Sequence, residues 1–522
     1  MTRTFYVSTA IPYVNARPHL GFALEIVQAD VLARHRRLRG DRVRFLTGTD
    51  DNSLKNLQAA EAEGVPVAEL VDRYAGAFAA LREPLALSFD DFIRTSSDPR
   101  HGPGVEGLWR ACAASGDLYR KHYQGLYCVG CERFFTQAEL DGGRCPEHGV
   151  EPQPVAEENW FFRLSRYQDR LRELVASGEL RIEPAVRRNE VLGFIDGGLE
   201  DFSVSRSRAR ARGWGIGVPG DPDQVVYVWF DALANYITAL GYGDGAAGGA
   251  AFRDWWLDGD QRVHLIGKGI LRFHAVYWIA ALLSAGLPLP TGILVHDYLT
   301  VEGAKISKSS GNVIDPVALA ERFGADAVRW WLLREVPRVG DADFTVERLA
   351  ARNDEDLANG LGNLVNRVTT LIYRYRDGRV PAATEATAAT AVSQTPAGAE
   401  RLLRSRAEAP GLVDQALAAG DFRRATAAVW AIVEEANRYV ETARPWELAK
   451  AEREGAGAEP GQLDAALGVL LEACRSLAGE LSPFLPGAAA RVAARCEPRS
   501  GRLPAPEPLF PRIRQGRAAP VA

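Results

Sequence analysis

Residues 4–51 read TFYVSTAIPYVNARPHLGFALEIVQADVLARHRRLRGDRVRFLTGTDD, and this stretch decides the fold class. Residues 4–10 form a β-rich run, and residues 23–39 place apolar side chains at helical spacing before Gly40. Residues 43–49 form a second apolar strand. A strand, a helix and a strand of these lengths predict a parallel βαβ unit.

A βαβ unit binds its ligands at the carboxyl ends of its strands, which predicts a crevice formed by residues 11–22 and 48–53. Strand and helix patterns return later in the chain, in VVYVWFDAL (225–233), VHLIGKG (263–269) and TGILVHDYLTV (291–301). The sequence therefore predicts an α/β fold whose Rossmann-type parallel sheet domain is split by an insertion.

Four segments follow from these patterns. Residues 1–115 are the first half of the Rossmann-type domain, and residues 116–220 are an inserted, connective segment with a cysteine cluster. Residues 221–345 are the second half, and residues 346–522 are an all-α helical bundle. An Ala/Thr-rich, low-complexity stretch at residues 382–397 is expected to be a loop within the bundle.

The composition limits the class of protein. With 522 residues, 47% of them hydrophobic and 25% charged, the chain is long enough for three or four globular domains, and collagen-like or wholly disordered classes are excluded. The formal net charge of −5 excludes a histone-like basic protein. No leader peptide and no apolar run of membrane-spanning length is found, so a cytoplasmic protein that does not enter a membrane is expected.

The cysteines indicate a metal site rather than disulfides, because only six occur and three lie within 18 residues of one another. Cys128-x2-Cys131 and Cys145-x2-His148 are two pairs whose short spacings let both members reach one tetrahedral ion. Two reduced cysteine pairs in a loop are the alternative, but they leave His148 unexplained. We expect a structural Zn²⁺, since four protein ligands leave no open position. Cys112, Cys474 and Cys496 lie in helical patterns and are expected to be buried.

Two short motifs point to a nucleotide. They are His19-Leu20-Gly21-Phe22, at the start of the first helix, and Lys305-Ile306-Ser307-Lys308-Ser309, on a loop after a late strand. Each alone is weak, but in this order on an interrupted α/β domain they resemble the two ATP signatures of class I aminoacyl-tRNA synthetases. From residue 4 to about residue 450, the chain is similar to methionyl-tRNA synthetases in YVNARPHLGF, FLTGTDD, YVWFDALANYITALGY, HLIGK, RFHAVYW, GAKISKSSGNVIDP and DLANGLGNLVNR.

The resemblance implies ATP-dependent activation of methionine as an aminoacyl-adenylate and its transfer to the 3′ end of tRNA(Met). Attack of a carboxylate on the α-phosphate spreads negative charge over the phosphorus, so the site needs preorganised donors and cations. The resemblance implies that His19, Lys305 and Lys308 are catalytic and bind ATP, and that Gly21 and Gly267 also lie at the nucleotide. The partial positive charge at the N-terminus of the first helix would also stabilise the phosphates, and Mg²⁺ would accompany ATP.

The resemblance also implies an amino-acid pocket. Asp50 would hold the α-ammonium group, and the matching pocket positions are Ile11, Tyr13, Trp229, Tyr236 and His296. A thioether suits an aromatic, polarizable enclosure. The alternative for Asp50 is a helix N-cap. Read without the resemblance, Trp229 and Tyr236 are more often simple core residues.

The C-terminal helices carry a second set of matching positions. Asn363 and Arg367 lie four residues apart on one helix face, and Trp446 occurs in RPWE. The resemblance implies that these residues read the CAU anticodon by hydrogen bonding and stacking. A basic run at residues 206–212 is consistent either with contact to the acceptor arm or with a solvated loop. No dimerisation module follows the helices, so a monomer is expected.

Several residues around the predicted nucleotide and amino-acid site differ from the family pattern. Phe22 stands where a second histidine is usual, and the loss of such a phosphate donor can cost about 3 kcal/mol, roughly a hundredfold in rate. Asn52 replaces a histidine, Gly269 replaces an aspartate at the ATP ribose, and Asp297 replaces a glycine.

Three hypotheses remain. The first is a methionine-tRNA ligase. The second is a paralogue that adenylates another amino acid or uses a non-tRNA acceptor. The third is a non-catalytic RNA-binding or regulatory homologue.

Overall fold

The computed structural model describes residues 2–129, 133–146, 149–245, 248–306, 313–381, 398–455 and 461–510. They form two compact units, the first comprising Met1–Arg82 with Leu87–Asp297 and the second Glu83–Ala86 with Tyr298–Ala522. No helix among the described residues has both the length and the apolar character needed to cross a membrane.

The first unit contains thirteen strands within the described residues. In chain order they are β1 (Thr4–Thr9), β2 (Arg42–Thr49), β3 (Asp91–Arg94), β4 (Leu118–Cys128), β5 (Arg133–Phe135), β6 (Gln153–Phe162), β7 (Arg181–Glu183), β8 (Phe202–Ser203), β9 (Ser205–Ser207), β10 (Gly217–Val218), β11 (Asp221–Val226), β12 (Gln261–Gly267) and β13 (Gly292–His296).

The α-helices of the same unit are short, apart from the first. In chain order they are α1 (Leu20–Leu38), α2 (Leu54–Glu63), α3 (Val67–Ala79), α4 (His101–Ala114), α5 (Gln168–Ser177), α6 (Ala185–Asp196), α7 (Val228–Leu233), α8 (Asn235–Thr238), α9 (Ala250–Phe252) and α10 (Trp278–Ser284). A π-helical turn, Phe273–Tyr277, leads directly into α10.

A six-stranded sheet organises the first unit, with strand order β3-β2-β1-β12-β13-β7. Every neighbouring pair in this sheet is parallel. The fully buried strand β1 lies at its centre because its six residues, TFYVST, are covered on both faces. The predicted α/β fold with a parallel sheet is therefore confirmed, and the carboxyl ends of β1, β2, β12 and β13 meet at one edge.

The inserted segment contains its own antiparallel sheet, with strand order β5-β4-β6-β8. The long strands β4 and β6 pair from Leu118↔Phe162 to Tyr127↔Gln153. The same segment also returns to the main sheet, because β7 pairs with β13. The division of the sequence into four segments stays a prediction.

The second unit is mainly helical. Its strands are β14 (Leu299–Val301), β15 (Ala304–Lys305) and β16 (Ala342–Asp343), and its α-helices are α11 (Pro316–Phe323), α12 (Ala325–Arg334), α13 (Val346–Arg352), α14 (Asn363–Arg376), α15 (Glu400–Ala418), α16 (Phe422–Ala443), α17 (Pro445–Glu454), α18 (Gln462–Leu481) and α19 (Pro486–Cys496). The helical pattern predicted from about residue 346 onward is present in the described part of this unit, and the predicted loop at residues 382–397 lies outside the described residues.

Candidate active site

The two predicted crevice segments of the first unit meet in the structure. Tyr13 and Asp50 form a parallel bridge just beyond the ends of β1 and β2, and the backbone N–H of Asp50 donates to the carbonyl oxygen of Pro12 at 2.9 Å. Ile11, one residue earlier, is partly buried against the core of this unit. The crevice therefore opens at the carboxyl edge of the parallel sheet, as the βαβ pattern predicts.

The start of α1 is capped by His19. Its Nδ1 accepts a hydrogen bond from the backbone N–H of Gly21 at 3.0 Å, and this cap lets the helix begin at Leu20, three residues before the predicted start. Because Nδ1 is the acceptor, a neutral ring carries its proton on Nε2. A Cβ atom added to Gly21 would lie 2.9 Å from Cε1 of His19, so this close contact requires glycine.

Asp50 is not a helix cap. The N-cap of α2 is Ser53, whose hydroxyl accepts the backbone N–H of Asn56 at 3.3 Å, and this removes the alternative interpretation of Asp50. The Asp50 side chain is 2% exposed, and its Oδ1 accepts the backbone N–H of Asn52 at 3.2 Å. Asp50 therefore places a buried carboxyl group at the end of β2, within the crevice.

Asn52, one of the departures from the family pattern, belongs to a polar chain within the first unit. Its amide nitrogen donates to Oδ2 of Asp231 at 2.8 Å, and Oδ1 of Asp231 lies 2.6 Å from Nε2 of His101. The other ring nitrogen of His101 lies 2.8 Å from the hydroxyl of Thr238. Asn52 therefore holds the loop after β2 against α7.

Aromatic rings form one wall of the crevice. Trp229 stacks on Phe273, with ring centroids 3.9 Å apart and an interplanar angle of 5°, and it meets Tyr13 edge-on at 6.4 Å. The Nε1 atom of Trp229 is buried, and no described residue accepts a hydrogen bond from it. Lys55 lies 5.1 Å from the centroid of the Tyr13 ring. Trp229 is thus partly buried against the core of this unit, and its donor has no partner among the described residues.

His274 belongs to this wall, although the sequence analysis did not single it out. Its Nε2 lies 2.7 Å from the hydroxyl of Tyr236, and its ring meets Trp229 edge-on at 6.4 Å. Nδ1 lies 2.9 Å from the carbonyl oxygen of Ile270. Burial lowers the pKa of His274 to about 4, so the ring is neutral at pH 7. The RFHAVYW stretch contained this residue, but only the fold shows that it contacts Tyr236.

A second buried histidine lies behind Tyr236. The ring of His264 is tilted by 30° against that of Tyr236, with centroids 4.0 Å apart. Its Nδ1 lies 2.7 Å from the hydroxyl of Ser8, and its Nε2 accepts from Trp278 at 3.2 Å. Burial lowers the pKa of His264 well below its ordinary value. The aromatic wall is therefore built from neutral, polarizable rings that are fixed by hydrogen bonds.

His296 ends β13 and faces α1. Its Nε2 lies 3.0 Å from Oε2 of Glu25, and its Nδ1 lies 2.8 Å from the carbonyl oxygen of Asp297. The other carboxylate oxygen of Glu25 accepts the backbone N–H of Ala10 at 2.8 Å. His296 and Gly267 are aligned in the register of β13 and β12, so both lie at the same sheet edge.

Asp297, which stands where the family usually has glycine, forms an ion pair. Its buried carboxylate pairs closely with Arg187 on α6, and Nζ of Lys268 lies 4.0 Å away. Gly269 follows in the turn Lys268–Ile270 after β12. The carboxylate that follows β13 is therefore already paired with an arginine, whereas residue 269 has no side chain.

Phe22, which stands where the family usually has a second histidine, makes a packing contact. Its ring is buried and meets that of Phe78 on α3 edge-on, with centroids 4.9 Å apart. The side chain thus stabilises the α1–α3 contact instead of adding a donor to the crevice.

The other residues predicted to bind the nucleotide or the anticodon belong to the second unit. Lys305 ends β15, which pairs with β14 through Thr300↔Lys305, and Lys308 lies outside the described residues. Asn363 begins α14 and is exposed. Arg367 pairs with Glu441 at 2.6 Å, near the end of α16.

Trp446, at the start of α17, is 38% exposed.

The predicted zinc ligands are described only in part, since Cys131 and His148 lie outside the described residues. Cys128 and Cys145 are buried in one small cluster with Phe135. Among the described residues, no group of three or more His, Cys, Asp or Glu side chains is placed to hold a metal. Cys112, Cys474 and Cys496 are buried, as expected.

The basic run at residues 206–212 is not a uniform solvated loop. Arg206 is buried, donates to the Ser203 hydroxyl at 2.9 Å, and lies 4.1 Å from the ring centroid of Tyr227. Arg210 lies 4.0 Å from the ring centroid of Tyr127. These two arginines therefore stabilise the inserted segment.

Comparison with known proteins places this fold and crevice in a family. A family model described as tRNA synthetases class I (M) matches residues 5–154 and 148–369. The chain belongs to this family of class I tRNA synthetases.

Within the family, the relatives are methionyl-tRNA synthetases. The chain is 41% identical over 531 residues to the methionine–tRNA ligase of Brucella suis, an alignment that covers 97% of this chain and 98% of that protein. It is 42% identical over 495 residues to the ligase of Mycobacterium tuberculosis, covering 94% of this chain and 91% of that protein.

Solved structures agree. The Mycobacterium tuberculosis methionyl-tRNA synthetase in complex with methionyl-adenylate superimposes with a TM-score of 0.89 and 39% identity, covering 98% of this chain and 100% of that chain. The apo form of that enzyme gives a TM-score of 0.83 and 36% identity, with 99% of both chains covered.

Proposed function

We propose that this chain activates methionine with ATP as methionyl-adenylate and then charges tRNA(Met). The crevice at the carboxyl edge of the parallel sheet is the site of the first step. The observation that carries the proposal is the meeting of a buried carboxylate, Asp50, with an aromatic wall of neutral rings beside the capped start of α1.

The wall suits the methionine side chain. Tyr13, Trp229, Tyr236 and His274 present polarizable ring surfaces, and a thioether makes favourable contacts with such rings. A neutral His274 avoids placing a charge beside an uncharged side chain. Asp50 then holds the α-ammonium group, which leaves the carboxylate of methionine directed toward the nucleotide.

ATP binds beside the N-terminus of α1. The Nε2–H of His19 points a donor at the phosphates, because Nδ1 is occupied by the backbone of Gly21. Gly267 lets the nucleotide approach the end of β12, and Lys305 and Lys308 add positive charge. Mg²⁺ bound with ATP neutralises part of the phosphate charge during attack at the α-phosphorus.

The cysteine cluster of the inserted segment holds a structural Zn²⁺. Thiolates are the ligands that Zn²⁺ prefers, and the burial of Cys128 and Cys145 in one cluster at the end of the β4–β6 sheet fits such a site. Cys131 and His148 complete the ligand set by their spacing. The ion would hold together the end of the β4–β6 sheet, where the buried cluster consists of Cys128, Phe135 and Cys145.

The surface of the second unit reads the anticodon. Asn363 and Trp446 are exposed, and the ion pair with Glu441 orients Arg367, so these side chains are available to unpaired bases. The monomeric state and the cytoplasmic location stay predictions.

Methionine-dependent ATP–pyrophosphate exchange tests the proposal. In Asp50→Asn the charge that holds the ammonium is lost, and kcat/KM for methionine should fall roughly 10- to 100-fold, the equivalent of one charged hydrogen bond. Asp254→Asn is the matched control, because Asp254 is a half-exposed carboxylate whose partner Arg42 lies 3.9 Å away at the start of β2. Equal effects of the two substitutions would contradict the role of Asp50.

The same assay separates the three hypotheses when it is run with methionine and a panel of other amino acids. Preference for methionine, followed by charging of tRNA(Met), supports the proposal. Preference for another amino acid supports a specialised paralogue. Exchange with none of them supports a non-catalytic homologue.

A further inference from the structure

The loop that follows β2 is held at Asn52, which makes two different kinds of hydrogen bond. Its backbone N–H donates to Oδ1 of Asp50 at 3.2 Å, and its side-chain amide donates to Oδ2 of Asp231 at 2.8 Å. The same amide nitrogen lies 3.4 Å from the carbonyl oxygen of Thr95. Asn52 therefore connects the carboxyl group assigned to the amino acid with helix α7.

The carboxylate of Asp231 is held on its other oxygen by His101. This oxygen lies 2.6 Å from Nε2 of the ring, and Nδ1 lies 2.8 Å from the hydroxyl of Thr238. Each of these three side chains is at most 1% exposed. A carboxylate only accepts hydrogen bonds, so Nε2 is the donor, and in a neutral ring Nδ1 accepts from the threonine hydroxyl. The chain of buried hydrogen bonds thus fixes the atom that accepts the Asn52 amide.

The main chain of Asp50 is held separately from its side chain. Its N–H donates to the carbonyl oxygen of Pro12 at 2.9 Å, and its own carbonyl oxygen accepts the side-chain amide of Asn56 at 3.0 Å. Neither bond involves the carboxyl group. The N–H of Asn52 does act on that group, because it donates to Oδ1. A carboxyl group with one fixed donor presents its other lone pairs in a defined direction.

The direction of the Asp50 carboxyl group matters for the reaction. The amino acid has to bind with its own carboxylate in line with the α-phosphorus, and a misplacement of about 1 Å can cost roughly a hundredfold in rate. An ammonium group that is held from one direction orients the rest of the amino acid. A donor that fixes the carboxyl group therefore contributes to this alignment.

We propose that Asn52 is a positioning residue that directs the Asp50 carboxyl group toward the α-ammonium group of the amino acid. Thr238, His101 and Asp231 hold Asn52 in place. The inference rests on the proposed function, because it takes Asp50 as the group that binds the ammonium. Asp231 also lies two residues after Trp229, so the competing explanation is that the hydrogen bonds only support the aromatic wall.

The test uses two substitutions in the full chain. Asn52→Ala removes the amide and keeps the backbone N–H. Thr238→Val removes the hydroxyl at the far end of the hydrogen-bond chain with little change of shape, so a folded variant is available even if Asn52→Ala is unstable. Thr238→Ser, which keeps a hydroxyl, is the rescue variant. Thermal unfolding checks that each protein folds.

Ser284→Ala is the matched control, because it also removes a buried hydroxyl from a hydrogen bond to a carboxylate. Ser284 donates to Asp117 at 2.7 Å. Asp117 lies beyond the C-terminal end of α4, whereas His101 is the first residue of that helix, and 14 residues at 1.5 Å each separate the two ends by about 21 Å. The control therefore tests the loss of a buried hydrogen bond elsewhere in the first unit.

Two competitive inhibitors of pyrophosphate exchange serve as probes. L-Methioninol keeps the ammonium group of methionine and lacks the carboxylate, whereas 4-(methylthio)butanoate keeps the carboxylate and lacks the ammonium. Both have the thioether chain, so both contact the aromatic wall. The inhibition constant of each probe is measured together with the KM for methionine and the KM for ATP.

We expect Asn52→Ala to raise the KM for methionine and the inhibition constant of L-methioninol about tenfold, the equivalent of one hydrogen bond to a charged group. Thr238→Val should raise both about threefold, because it acts through two further bonds, and Thr238→Ser should recover most of this loss. The inhibition constant of 4-(methylthio)butanoate and the KM for ATP should stay unchanged. Ser284→Ala should behave like the unchanged protein in all four measurements.

Equal weakening of both inhibitors would overturn the proposal, because it would show that the hydrogen bonds support the aromatic wall instead of directing Asp50. Unchanged binding of L-methioninol in Asn52→Ala, or equal losses in Thr238→Val and Ser284→Ala, would overturn it as well. Asp50→Asn in the same assay tests the proposed function separately. If Asp50→Asn weakens the binding of L-methioninol and Asn52→Ala does not, only the positioning role is wrong. If Asp50→Asn has no effect, the proposed role of Asp50 is wrong, and the positioning role falls with it.

Discussion

The hydroxyl of Tyr236 donates a hydrogen bond across 2.7 Å to Nε2 of His274. Nδ1 of the same ring lies 2.9 Å from the carbonyl oxygen of Ile270, which can only accept, so Nδ1 is the donor there. In a neutral imidazole the other nitrogen, Nε2, is then the acceptor, and the tyrosine hydroxyl donates to it. The imidazole is thus neutral in one tautomer, and it orients the tyrosine against the aromatic wall. A buried pair of this kind makes the wall sensitive to acid.

The first prediction concerns stability at low pH. The pKa of His274 in the folded chain is about 4, below the ordinary 6.5, because the ring is buried. As the pH falls from 6.5 to 4, the unfolded chain takes up a proton at this histidine and the folded chain does not. The neutral ring's contribution to the free energy of unfolding is therefore complete above pH 6.5 and falls by about 3 kcal/mol toward pH 4. The free energy of unfolding is measured in urea at pH 7 and at pH 4.5. The decrease between these two pH values should be smaller for His274→Gln than for the unchanged protein. His122→Gln, at an exposed position, should leave the pH dependence unchanged. An identical pH dependence for His274→Gln would contradict the prediction.

The second prediction concerns Gly21→Ala. The new Cβ would lie 2.9 Å from Cε1 of His19, so the ring has to leave its capping position. Loss of the cap costs about 1 kcal/mol and the better helix propensity of alanine returns a similar amount, so the melting temperature should change little. The KM for ATP in pyrophosphate exchange should rise roughly tenfold. Gly76→Ala in α3, where no atom lies within 4 Å of the new Cβ, should stabilise the chain and leave this KM unchanged. A normal KM in Gly21→Ala would argue against phosphate binding by His19.

The third prediction concerns Phe22→His, which restores the usual family letter. The ring is buried against Phe78, so an imidazole would lack a partner there and should destabilise the chain by about 1–3 kcal/mol. No gain in pyrophosphate exchange is expected, because the side chain packs between α1 and α3. Phe22→Leu should keep the exchange rate while losing less stability. A tenfold faster exchange in Phe22→His without loss of stability would show that the ring can reach the nucleotide.

The fourth prediction concerns metal content. The purified chain should contain one zinc per molecule by elemental analysis, and Cys128→Ser should lose it, because one of the four proposed ligands is removed. Chelation should lower the temperature at which the inserted segment unfolds. Cys112→Ala is the control, since Cys112 lies in α4 and contacts the carbonyl oxygen of Ala281. Zinc-free native protein would refute the site.

Local patterns were sufficient for part of the active site. The β-rich run at 4–10 and the helical spacing from residue 23 correspond to β1 and α1, because strands and helices leave different periods of apolar residues in the sequence. His19 and Asp50 could be placed at the crevice for the same reason, since both follow from where a helix starts and a strand ends. His274 could not, because its π-helical turn gives no periodic signal and its partner is 38 residues away.

The sequence alone determined the parallel α/β fold, the crevice at the ends of β1 and β2, and the family, because these depend on local spacing and on motifs that are contiguous in the chain. Only the tertiary structure decided that Phe22 packs on Phe78, that Asp297 pairs with Arg187, and that the amide of Asn52 donates to Asp231. The physical reason is that burial and charge pairing depend on which side chains the fold brings together across long separations in sequence, and no local pattern records those separations.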